Sequence, residues 1–87
     1  MIELKDTVAG MTSVDYKERF KAEFQQTYIR WKALADMIEK HKAGTLDFTP
    51  TCPIEILGDQ CNQMQWILEV LMRRAMIEEI NVMEGLF

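Results

Sequence analysis

Residues 53–82 read PIEILGDQCNQMQWILEVLMRRAMIEEINV, and their apolar spacing decides the fold. Ile54, Leu57, Cys61, Met64, Leu68, Leu71, Ala75 and Val82 follow at intervals of 3, 4, 3, 4, 3, 4 and 7. That is a seam of period 3.5, the pattern of a helix packed along its length on another helix. A second stripe, Ile56, Ile67, Val70 and Ile77, lies beside it, widened by Trp66, Met72, Met76 and Ile80. One partner helix covers one stripe. The pattern therefore predicts a helix from Pro53 to about Val82 with more than one partner.

The matching seam lies upstream. From Val14 to about Lys42 there is no Pro or Gly, and Phe20, Phe24, Thr27, Trp31, Leu34 and Ile38 repeat at 4, 3, 4, 3, 4. Thr12, Ser13 and Asp15 offer N-cap oxygens for this first helix. Asp15 with Arg19 and Asp36 with Lys40 are acid-to-base pairs at i,i+4, the favourable order. Lys40, His41 and Lys42 suit the negative end of the helix dipole, and Gly44 marks the stop. The linker GTLDFTPTC carries Pro50 and Pro53, which block helical continuation. Leu46 and Phe48 are expected to plug the hairpin end. Pro53 fits the first position of the second helix, after Thr51 or Cys52. Gly58 weakens that helix by about 1 kcal/mol relative to Ala, so a close approach of another backbone is expected there.

The fold expected is all-α: an antiparallel helical hairpin of two long helices, each of about 28 residues and so ~42 Å. Residues 1–12, where Gly10 interrupts the helical spacing of Leu4, Val8 and Met11, form a short N-terminal arm or helix that docks on a neighbouring subunit. Residues 13–87 form the hairpin, the unit of oligomerisation and ligand binding. Leu86 and Phe87 in the tail are also expected to meet a neighbour. Two long apolar faces make an isolated hairpin insoluble, so assembly into a homo-oligomeric helical bundle is the physical remedy.

Composition narrows the function. A net charge of −4 over 87 residues argues against polymeric nucleic acid as a partner. The balance is uneven: residues 13–42 hold seven Lys/Arg against five Asp/Glu, while residues 43–87 hold two against seven. A local basic site for a small anion is therefore expected on the first half. Cys52 and Cys61 with one His lack zinc spacing, and Cys61 sits in the seam, so reduced thiols in a cytosolic protein are expected. No apolar run reaches the ~20 residues of a membrane span, and no membrane partner is expected. His41 reads as a partner of the helix dipole, and no nucleophile has a base at a recognisable spacing, so the chain is read as no enzyme, with no metal and no cofactor. Glu69, Glu78 and Glu79 read as a solvated acidic face.

Two sets of cations stand out. Arg73 and Arg74 sit mid-helix among Leu71, Met72, Ala75 and Met76, and Arg74 falls on the second apolar stripe. Burying it requires an anion or a carboxylate, which leaves two readings: an ion pair with a Glu of another subunit, or phosphate binding at a subunit interface. On the first helix, Tyr16 with Arg19, Arg30 and Lys32 reads either as a solvated face or as a site where Tyr16 stacks on a base and the cations meet phosphates.

The first helix reads Tyr16-x-x-Arg19-Phe20-x-x-Glu23, then Arg30 and Leu34. The second reads Leu57-x-x-Gln60-x-x-x-Met64, then Leu68, Leu71 and Arg74. Over about residues 14–80 the chain resembles a group of small tailed-phage proteins related to a crAss-like phage protein. That group in turn resembles the phage anti-CBASS sponges, helical homohexamers that sequester cyclic di- and trinucleotide immune signals between subunits. The resemblance implies a phage anti-defence protein in the infected bacterial cytosol, with a cyclic oligonucleotide and its own copies as partners. It casts Tyr16 as the base-stacking aromatic, Arg30 or Lys32 as the phosphate cation, and Arg74 in a second, trinucleotide pocket. Ile67 departs from the group's usual Tyr, and Trp31 and Trp66 are additions. A non-catalytic helical adaptor, binding a host protein through the apolar stripes, is the alternative.

Overall fold

Two long helices lie antiparallel in the computed structural model, which describes residues 2–87. A 3-10 turn, Leu4–Thr7, runs into α1, Val8–Met11; α2 is Tyr16–Lys42 and α3 is Ile54–Glu78. The architecture is all-α, with no strand among the described residues. The longest dimension, 43 Å, is that of α2 itself at about 1.5 Å per residue.

Asp15 provides the N-cap of α2, its carboxylate accepting from the Lys17 amide at 3.0 Å. That occupation explains why the expected Asp15–Arg19 pair does not form. Arg19 Nη1 instead donates to the Ser13 carbonyl at 2.9 Å. Asp36 likewise looks backwards, to Lys32 at 3.0 Å rather than to Lys40. At the other end Gly44 takes φ +72, so the chain turns and the Gly44 amide donates to the His41 carbonyl. Pro53 stands one place earlier than expected, as the N-cap of α3, its carbonyl accepting from Ile56 and Leu57. Leu46 is half-buried, but Phe48 stays exposed.

α3 does not reach Val82. Glu79 enters the left-handed region at φ 57, and the Ile80 amide closes back on the Ala75 carbonyl at 2.9 Å. The chain then folds onto the hairpin as a strap. Val82 and Leu86, 1% and 0% exposed, join Phe20, Phe24, Leu68, Leu71 and Ala75 in one core. Val82 is thus a core residue, as its spacing predicts, but reaches the core from the strap rather than from the helix. Leu86 packs inside its own chain rather than on a neighbour. Phe87 is exposed and meets the Tyr28 ring edge-on, centroids 5.8 Å apart.

The N-terminal arm also docks on its own chain. A Cβ at Gly10 would stand 3.0 Å from Ala22 Cβ and 3.2 Å from the Glu18 carbonyl, so the missing side chain lets α1 lie against α2. At Gly58, where a close approach is expected, an added Cβ would meet nothing within 4 Å. The arm and the strap join where the Ile2 amide donates to the Gly85 carbonyl at 2.9 Å. The core is therefore gathered at the end of the hairpin where arm and strap meet. Towards the linker Ile38 is buried, but Leu34, Met37, Ile54, Leu57, Cys61 and Met64 are only half-buried. Of the second stripe, Met72 and Ile80 pack on the core, while Ile56, Trp66, Ile67, Met76 and Ile77 stand 40–82% exposed.

Gln25 holds the strap. It is 5% exposed, and its Nε2 donates to the carbonyls of Val82 at 3.1 Å and Glu84 at 2.7 Å. Gln25→Met keeps the bulk but strands both carbonyls. Its expected cost is about 1–3 kcal/mol, read from the urea midpoint. An unchanged midpoint would show that water replaces the amide.

Candidate functional site

The antiparallel turn sets the first residue of α2 beside the last of α3. The Tyr16 hydroxyl donates to Glu78 Oε1 at 2.8 Å and accepts from Arg74 Nη2 at 2.8 Å. Arg74 Nε lies 3.4 Å from Glu78 Oε2, one helical turn away. Phe20 is one turn inward from Tyr16. Its ring, 3% exposed as a residue, carries the Arg74 guanidinium 4.7 Å above its centroid. The Tyr16 and Phe20 rings are tilted by 48° with centroids 6.2 Å apart. Arg74 thus has a cation–π platform beneath it and a hydroxyl and a carboxylate beside it.

Arg74 is exposed rather than buried on the second stripe; partial desolvation pushes its guanidinium down, the charge and hydrogen bonds of Tyr16 and Glu78 push it up, and the net direction is upward. The group stays charged whatever meets it. It has five N–H donors, of which Tyr16 and Glu78 engage two, so further donors remain for an anion. About 45% of Tyr16 is exposed, leaving ring surface for a planar partner.

The structure joins two residues that the sequence placed in separate pockets, Tyr16 and Arg74. It pairs Arg74 with a Glu of its own chain, and Glu78 is half-buried in that pair rather than part of a solvated face. Arg19, on the same end of α2, is turned to the Ser13 carbonyl. Arg30 and Lys32 lie about 21–24 Å from Tyr16 along α2 and are not brought to it. Lys32 holds Asp36, whose hydrogen bond and charge raise its ammonium above the ordinary value. Arg30 and Arg73 are exposed and have no ion-pair partner within 4 Å among the described residues. Phe20 and Glu78 are the site residues that sequence reasoning missed. Matching the first turn of one helix against the last turn of an antiparallel partner of similar length is the signal that finds them.

Among the described residues no three His, Cys, Asp or Glu side chains stand together as a metal set. Both cysteines are free thiols. No helix is long and apolar enough to cross a membrane. No curated protein and no solved structure matches the chain. The Sequestin family model matches residues 14–77, a stretch that holds Tyr16, Phe20 and Arg74 and stops one residue short of Glu78. With well over half of its length matched, the chain belongs to the Sequestin family.

Proposed function

We propose that the protein binds and sequesters a small cyclic di- or trinucleotide signal, without catalysis, in a homo-oligomer of hairpins whose subunit interfaces complete the site. The family's name speaks of sequestration. The observation that carries the reading is the juxtaposition of Tyr16 and Arg74 at 2.8 Å. It sets a half-exposed aromatic ring beside a permanent cation, the two groups that a base and its phosphate require. The setting is the cytosol of a phage-infected bacterium, where withholding the signal blunts a defence response by mass action.

Arg30 and Lys32 lie too far along α2 to share one such ligand with Tyr16 in the same chain, so a ligand that touches both sets spans two copies. The exposed stripe of Ile56, Trp66, Ile67, Met76 and Ile77 supplies the face for that association. Each such side chain fully buried contributes about 1.5–3 kcal/mol. Light scattering is expected to show an oligomer at micromolar concentration, and Ile67→Asp with Ile77→Asp is expected to dissociate it. A parent that is a monomer would remove the interface, and with it the reading.

Calorimetry against a panel of cyclic di- and trinucleotides tests the ligand. Tyr16→Ala is expected to lose roughly 1–3 kcal/mol of affinity, the scale of one base–aromatic stack, with oligomer size unchanged. Arg74→Gln is expected to weaken binding at least as much. A bound ligand at a hundredfold excess over Kd raises apparent stability by about 2.7 kcal/mol, visible in a thermal shift. Co-purification of one host protein, with no response to any nucleotide, would instead assign the helical-adaptor role.

A further inference from the structure

On the other side of the seam from Arg74, a groove of about 290 Å³ opens between α2, α3 and the strap. Tyr28 and Trp31 form its α2 wall, with ring centroids 5.8 Å apart. Met72 and Met83 face them from α3 and the strap, over a floor that includes buried Leu68. Phe87, edge-on to Tyr28, extends the aromatic surface outward. The polar groups at the rim come from α3: the Gln65 amide and the Glu69 carboxylate, one helical turn apart. Glu69 is the sole charged residue lining the groove.

This lining selects its occupant. Aromatic rings and thioethers favour a flat, polarisable ring. A single carboxylate with no lining cation rejects a phosphate and asks for N–H donors. The volume is at the small end for ligand sites, enough for a base with its sugar. Trp31 adds a further observation: its indole Nε1–H is buried with no acceptor among the described residues. An unpaired buried donor is costly, so a small turn of the indole towards an acceptor in the groove is favoured.

We propose that this groove is a second binding site, specific for a purine base, with guanine preferred. The ring lies against Tyr28 and Trp31. The Glu69 carboxylate accepts from the guanine N1–H and amino group as a bidentate pair, the Gln65 amide meets the adjoining edge, and the Trp31 N–H donates to a ring acceptor. Tyr28 is about 18 Å along α2 from Tyr16, so a base here does not belong to a ligand seated on the Tyr16–Arg74 pair of the same chain. The proposal goes beyond the sequestration reading, because this groove takes a base without its phosphate, and it is tested without any phosphate.

The probes are guanosine, adenosine and uridine, added to the full chain while the indole N–H resonances are followed by NMR. Only Trp31 and Trp66 contribute, and Trp66→Phe removes the exposed one. The expected result is a saturable downfield shift of the Trp31 signal, strongest with guanosine, weaker with adenosine and absent with uridine. Glu69→Gln, an exposed position whose exchange leaves the fold intact, should weaken guanosine about tenfold or more, the scale of a lost hydrogen bond to a charged group. Cyclic dinucleotides are titrated alongside by calorimetry. If they bind while no nucleoside moves Trp31, the groove site is overturned and sequestration stands. If guanosine binds while they do not, the groove site stands and the proposed ligand class falls. If neither binds, both are wrong.

Discussion

Phe20→Ala is expected to cost about 3–5 kcal/mol of folding stability, a large share of what a domain of this size possesses. Phe20 is 3% exposed, packs in the same cluster as Leu71 and Ala75, and closes the core at the arm end of the hairpin. Its ring is also the platform of Arg74. The same substitution therefore strikes stability and the candidate site together. Phe20→Leu separates them: most of the apolar volume remains, but the π face is gone. Urea unfolding followed by circular dichroism is expected to show a small loss for the leucine variant and a near-collapse for the alanine variant. Ligand affinity of the folded leucine variant should fall, because nothing then fixes the guanidinium over its platform. A Phe20→Ala variant within 1 kcal/mol of the parent, on the ~3 kcal/mol lower bound for such truncations, would contradict the packing at this end.

Leu86→Ala is the second large effect. Among the described residues Leu86 is the most deeply buried side chain, at 0% exposure, though it lies outside the stretch matched to the family. Truncating it is expected to cost about 2–5 kcal/mol, the range for a buried leucine. The loss should be local first. The strap and the arm share the Ile2–Gly85 hydrogen bond, so the Ile2 amide should exchange with deuterium much faster in the variant, while amides in the middle of α3 keep their protection. Uniform acceleration across α3 would show that the strap and hairpin unfold as one unit. Unchanged exchange at Ile2 would show that Leu86 does not hold the strap.

The two long helices were legible because two 3.5-residue seams of like length flank a linker with Gly44, Pro50 and Pro53. Little in the local chemistry announces the end of α3. Glu79, Ile80, Asn81 and Val82 contain no Gly or Pro, only Asn81 as a weak stop, and Val82 falls seven residues after Ala75, so the helical phase continues on paper. A tertiary device ends the helix: burial of Val82 and Leu86 together with the Gln25 clamp outweighs the local cost of a non-glycine residue at φ 57. The glycines misled for a related reason. Gly58 lies in the second turn of α3, where a Cβ would meet nothing, whereas Gly10, which looks like an interruption, is where two helices touch. Of the candidate site, residue types were legible and their pairing was not. Tyr16 and Arg74 are 58 positions apart, and only the register of the hairpin puts them together. Asp15 had two roles open to it, cap and ion pair, and a sequence does not say which prevails.

The placement of the core at the end where arm and strap meet has a consequence for how the chain is made. Phe20 and Phe24 find their partners among residues 68–86, and near the turn between the helices Ile38 is the one buried apolar side chain among the described residues. Closing so long a segment costs only about 0.6 kcal/mol more per doubling of its length, but little near the turn offsets that cost in advance. During synthesis α2 emerges with its aromatic face bare and stays so until residues 68–86 have left the ribosome. Through that interval the nascent chain presents Phe20, Phe24 and Trp31 to chaperones and to other nascent copies, the condition in which aggregation competes with folding.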